Sequence, residues 1–102
     1  MAITQSMATS FKVELLKAVH NFSTGGNTFK LALYTSSATM GATTTAYTTT
    51  NEVTGTNYTA KGGTLTKVTP TATGTTAVTD FADLTFGTAT ITARGCMIFN
   101  DT

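Results

Sequence analysis

Charge is scarce in this sequence. Only 11% of its 102 residues are charged and the formal net charge is +1, where an ordinary soluble domain carries about 25% charged residues. A chain so neutral has little repulsion to keep its surfaces apart. Without a basic stripe it has no electrostatic footprint for nucleic acid. Tryptophan is absent, and histidine, arginine, proline and cysteine occur once each, as His20, Arg94, Pro70 and Cys96. A lone cysteine excludes an internal disulfide and fits assembly in a reducing cytoplasm. No apolar run approaches the ~18 residues of a membrane-spanning helix, and no signal peptide precedes the first periodic segment, so no membrane partner is expected. Asn-X-Ser/Thr triplets begin at Asn21, Asn57 and Asn100, as a threonine-rich chain produces by chance.

Threonine stands where charge is missing. The stretch 40–76 is dominated by Thr, Gly and Ala, which suit exposed strand faces and extended loops. A disordered linker would lack the anchors that recur along it, Tyr47, Val53, Tyr58, Leu65 and Val68. One segment alone has a helical period. Met7, Phe11, Leu15, Ala18, Val19 and Phe22 fall on one face of a helix over 6–22, with Lys12, Glu14 and Lys17 off that stripe. Ser6 or Thr9 is placed to cap its first turn; His20, Asn21 and Gly25-Gly26 are placed to end it. Such a stripe needs a surface, and the rest of the chain reads as β.

Residues 1–5 form an extended lead-in. Residues 28–35 alternate Phe29, Leu31 and Leu33 against Lys30, Ala32 and Tyr34, which predicts a central strand beneath the helix. Phe11 and Leu15 are expected to be buried on that strand, with docking of the helix onto a neighbouring subunit as the alternative. A threonine-rich loop region follows over 36–57, with Glu52 in a single helical turn capped by Thr49 or Thr50. Residues 58–68 form a β stretch in which Gly62-Gly63 marks a turn or a close backbone approach. Pro70 ends that strand or places it on an edge, and Gly74 turns the chain. Short strands, or one kinked strand, follow over 76–82 and 83–86. The longest β run covers 88–100, with either Met97 and Phe99 or Cys96 and Ile98 facing the core. These elements predict one domain over 1–102 of the α+β, mainly β class. Its architecture is an antiparallel β-sandwich or rolled sheet over 27–102 with one N-terminal amphipathic helix packed on it.

Material for chemistry is thin. His20 suits a capping or surface role, and Cys96, in an apolar strand, suits a small buried hydrophobe. A Cys–His dyad requires the fold to bring the two together. Asp80 and Asp83 suit turn capping better than the roughly 6–8 oxygens of a Ca²⁺ site. Neither glycine pair has the lysine and helix context of a phosphate loop. No catalytic residue, cofactor or metal site is expected. The interface candidates are Tyr34, Tyr47, Tyr58 and Arg94. The tyrosines suit packing or a sugar-stacking platform, and Arg94 suits a pair with Asp80, Asp83 or a neighbouring subunit.

Three motifs occur together: KLALYTSSA from Lys30, AYTTTNEV from Ala46, and TDFAD with ATITARG between Thr79 and Gly95. With them, and with the opening ITQSMATSFKVELLKAVHNF, the chain resembles a family of small structural proteins of tailed bacteriophages over nearly its whole length. The resemblance implies a non-enzymatic virion component, assembled in the host cytoplasm, with no catalytic residues to carry over. The role it implies first is capsid decoration, or cement, by a homo-oligomer bound to the major capsid protein or other virion proteins. The alternatives are a tail- or fibre-associated part, or a carbohydrate-binding module of a host-facing part. Members of the family continue past the position of Asn100 with a further apolar strand pair, whereas this sequence ends at Thr102. That pair is then either absent or supplied by a partner.

Overall fold

The computed structural model describes residues 4–102. Helix α1 spans Thr9–Leu16, and the strands are β1 Phe29–Tyr34, β2 Gly63–Leu65, β3 Lys67–Thr73, β4 Thr76–Phe81 and β5 Gly95–Asn100. Strand β1 is central in an antiparallel sheet of order β2-β1-β5, while β3 and β4 form a separate antiparallel hairpin. The expected α+β, mainly β class is what forms. Among the described residues the hairpin is exposed on both faces except at its base, Lys67 and Phe81, and does not pack along its length on the three-stranded sheet. Of the lead-in, residues 1–3 lie outside the described residues; Thr4 N donates to Met40 O at 2.9 Å.

Alternation along β1 sorts the core into two faces. Ala32 and Tyr34 pack with Ala38 and Met40 beneath Tyr47, Met97 and Phe99. On the opposite face Phe29, 2% exposed, stacks on Phe22 with centroids 4.3 Å apart and lies 5.9 Å from Phe81. The pairing Ala32↔Met97 and Leu33↔Cys96 fixes the register of β5. Met97 and Phe99 therefore face the larger cluster, and Cys96 and Ile98 are exposed. This corrects the expectation that Cys96 is a buried hydrophobe. The loop region 36–57 contains no named strand, yet it delivers Ala38, Met40 and Val53 to the core.

Gly62 has φ +71°, and a side chain there would overlap the Leu31 carbonyl, the close approach that the glycine pair suggests. Pro70 sits within β3, where the pairing slips between Val68 and Thr71, as an edge strand allows. Residues 83–86 and 88–94 are not strands; Thr90 makes one isolated bridge to Thr56. Glu52 is in no helical turn. It follows a bend closed by its N–H on Thr49 O (3.1 Å) and bridges to Tyr34.

The helix departs furthest from expectation. It ends at Leu16, not near Phe22, and its cap position is Ala8, with no side-chain cap from Ser6 or Thr9. Val19 N donates to Glu14 O (3.0 Å) and Ala18 N to Leu15 O (3.2 Å), with Ala18 at φ +61°. That is a Schellman ending with alanine in the left-handed position usually held by glycine. Gly25, φ +88°, serves a later turn. The reversal swings Val19 and Phe22 away from the stripe. Leu15 and Leu16 are left 41% and 91% exposed, so the expected burial of Leu15 on β1 is corrected. Phe11 is half-buried and reaches the sheet only indirectly, through His20 (4.8 Å) and Phe22 (6.1 Å).

Urea midpoints of single variants test this packing. Phe29→Ala is expected to cost ~3–5 kcal/mol, and Leu15→Ala to stay within about 0.5 kcal/mol of the parent as a surface change. Ala18→Gly is expected to stabilise by about 0.5–1 kcal/mol, since glycine removes the left-handed penalty at that position.

Candidate functional site

Glu52 is the only charged residue between Lys30 and Lys61, and the fold buries it to 9% exposure. Its Oε1 accepts from the Tyr47 hydroxyl. Its Oε2 accepts from the Tyr58 hydroxyl at 2.6 Å and the Lys61 backbone N–H at 2.8 Å. The Tyr58 oxygen in turn accepts from Leu33 N at 2.9 Å. Tyr34, fully buried and bridged to Glu52, donates to Thr48 O at 2.6 Å. A carboxylate out of water needs such donors on its lone pairs. Beside it, Lys61 Nζ and Lys30 Nζ flank Asp101 at 2.8 and 3.0 Å. The Tyr47 ring stacks on Phe99 with centroids 4.6 Å apart.

The fold thus gathers all three tyrosines around one acid. Burial, then the bond to Glu52, raises the Tyr47 hydroxyl from 10.0 to about 12. The same causes push Tyr58 up further, and Tyr34 is raised chiefly by burial. These hydroxyls stay protonated as donors at neutral pH, and the carboxylate is already occupied, so the cluster acts as a clamp. Asp101 is held below its ordinary value by hydrogen bonds from Lys61 and Lys30. Tyr34 has no exposed area, so its candidacy as an interface residue is corrected and packing, the other expectation for the tyrosines, is the role it takes. Arg94 is exposed and makes no ion pair among the described residues, so the proposed pair with Asp80 or Asp83 does not form. Asp80 accepts from the adjacent Phe81 N at 2.7 Å.

His20 is not at the surface. Its side chain is 8% exposed and lies between Phe11 and Phe29. Nε2 is 2.9 Å from Glu14 Oε1 and Nδ1 is 3.0 Å from Asn100 Nδ2. A carboxylate only accepts, so the Nε2 proton points at Glu14 and Nδ1 takes the amide proton of Asn100. Neither ring nitrogen is left to activate a thiol. No group of three His, Cys, Asp or Glu among the described residues is arranged to hold a metal ion.

What lies open is a trough of about 1000 Å³, lined among others by Met7, Phe11, Phe22, Phe81, Cys96 and Ile98. Strand β5 forms part of its lining and, among the described residues, pairs on one side only. The second exposed feature is the hairpin β3–β4, whose Val68 and Val78 are 46% and 43% exposed. Sequence reasoning missed both, and also the Glu52 clamp. The available signal was that Glu52 is the one charge in the thirty positions 31–60, a stretch that also holds Tyr34, Tyr47 and Tyr58. The chain matches no known protein family, no curated protein and no solved structure.

Folding raises the tyrosine pKa values, so the folded state holds these protons more tightly than the unfolded chain. Their stabilisation is complete below the ordinary value of 10.0 and is lost as pH climbs towards about 12 through Tyr47. Tyrosinate absorbance is expected to rise only well above that ordinary value while the protein is folded, together with loss of structure. Glu52→Gln keeps the shape but loses an acceptor and the charge; its expected cost is about 1.5–3 kcal/mol, read from the urea midpoint.

Proposed function

We propose that this chain is a non-enzymatic structural protein of a tailed-bacteriophage virion, and that it decorates the capsid by binding a repetitive protein lattice. The observation that carries this reading is the contrast between interior and exterior. The polar chemistry is engaged internally, around Glu52, Asp101 and His20. The outside offers instead a largely apolar trough wall, whose charged residues Glu14 and Asp101 are already paired, and a bare hairpin. Such surfaces suit shape-matched protein contacts. Weak individual contacts repeated over a lattice gain avidity from their number. The resemblance to phage structural proteins supports the same role.

Little supports a sugar-binding role, because Glu52 and the core hold the tyrosines that a stacking platform requires. A tail-associated role fits the same surfaces and differs in its partner.

Purified virions of a phage encoding the chain are expected to carry it. Added back to virions stripped of it, the protein should co-sediment with capsids. Because its surface charge is low, binding should hold as salt is raised, where contacts between exposed charges weaken beyond a Debye length of about 8–10 Å. Co-sedimentation with tails alone would move the protein to the tail, and absence from both would end the virion reading.

A further inference from the structure

We infer that this chain pairs with itself head to tail, strand β4 of one copy adding to the free edge of β5 in a second copy. The inference concerns the chain alone and does not rest on a capsid partner.

Backbone geometry exposes the acceptor. In the β1–β5 ladder Lys30 faces Phe99 and Ala32 faces Met97, and Asp101 N donates to Thr28 O at 2.8 Å. Alternation in an antiparallel pair then turns the amides and carbonyls of Cys96, Ile98 and Asn100 away from β1. Among the described residues no strand pairs with that edge. The edge also lacks the usual guards against strand addition, because Gly95–Asn100 contains neither a charge nor a proline.

The donor is selected in the same way. Strand β3 carries Pro70 and a register slip on its edge. Strand β2 is three residues long. Strand β4 has six residues, no proline and one charge, Asp80 near its base. It matches the six residues of β5 in length, about 20 Å each. A two-stranded hairpin standing alone is marginal in water, so cover over its exposed valines is favourable.

Shape decides against the symmetric alternative. The β5 edge borders a trough that residues Met7 and Phe11 of the N-terminal segment also line. Two such edges meeting would bring those walls together, whereas the hairpin is bare on both faces and can enter. Charge permits it too. The charged trough residues are already paired, Glu14 with His20 and Asp101 with Lys30 and Lys61. Positions 69–79 of the hairpin are uncharged, so the only charge that β4 brings to the contact is Asp80 at its base. Because donor and acceptor are different surfaces, the contact repeats into a ring or a filament.

The test uses the full chain, with Cys96 as a built-in reporter at the acceptor edge. Sedimentation velocity over a concentration series is expected to show assembly, and alkylation of Cys96 should slow in step with the assembled fraction. Val78→Asp on the hairpin and Ile98→Asp on β5 alter exposed residues. Each variant alone is expected to stay monomeric, with the parent's circular dichroism. Mixed, they should form a one-to-one heterodimer and nothing larger, since one intact hairpin meets one intact edge. If Val78→Asp fails to fold, Val78→Lys takes its place. Three results would overturn the inference: a parent monomeric at every soluble concentration with unchanged alkylation, a Val78 variant that still assembles, or folded variants that stay monomeric when mixed.

Discussion

The buried carboxylate of Glu52 is the constraint around which the rest is arranged. Removing an ion from water costs several kcal/mol unless donors replace the lost solvent. Here the donors come from Tyr47, Tyr58 and the Lys61 amide. To satisfy one acid, the segment 47–61 must fold back over β1, and the Tyr58 oxygen then also caps the free amide of Leu33. That return covers the side of β1 beyond the three residues paired with β2, where Leu33 would otherwise be left open. It also brings Lys61 to Asp101, tying the same segment to the end of β5. A loop rich in threonine, with little apolar matter of its own, is ordered by one acid and the groups that answer it.

A second hub is aromatic. Phe29 is buried where four elements meet: Phe22 stacks on it, Phe81 lies at the base of the hairpin, and His20 links it to Phe11 of the helix. The helix and the hairpin are both attached through this point, and neither is covered along its length. Stability is therefore uneven. The three-stranded sheet and the Glu52 clamp hold the well-packed residues, while the outlying elements have few buried contacts and belong to the low-stability end of the molecule.

Much of the scaffold was legible. The period of two in FKLALY identified β1 and its faces. Gly62 marked a close approach of backbones, and Gly74 the hairpin turn. What failed did so for physical reasons. The helix ends on Ala18, and an alanine in a left-handed cap leaves no mark in a sequence, so the apolar period continued past the true end. The register of β5 was undetermined because both of its faces are apolar, and only the pairing with β1 chooses between them. In a local window Glu52 is only a turn residue, because nothing there says that Tyr34, Tyr47 and Tyr58 converge on it.

The scarcity of charge acquires a structural meaning from this arrangement. Monomeric sheet proteins guard their edges with lysines, prolines and bulges. In this chain Glu14, Lys30, Glu52, Lys61 and Asp101 are engaged in internal pairs or in the clamp. The charges left over are Lys12, Lys17, Lys67, Asp80, Asp83 and Arg94, and none of them lies within β5. The lone proline guards β3 and leaves β4 open. Much of the remaining surface carries threonine hydroxyls, which hydrate a surface without repelling a similar one. A surface of that kind tolerates close approach by another neutral strand, and the charge placement that satisfies the interior is what leaves the β5 edge unguarded.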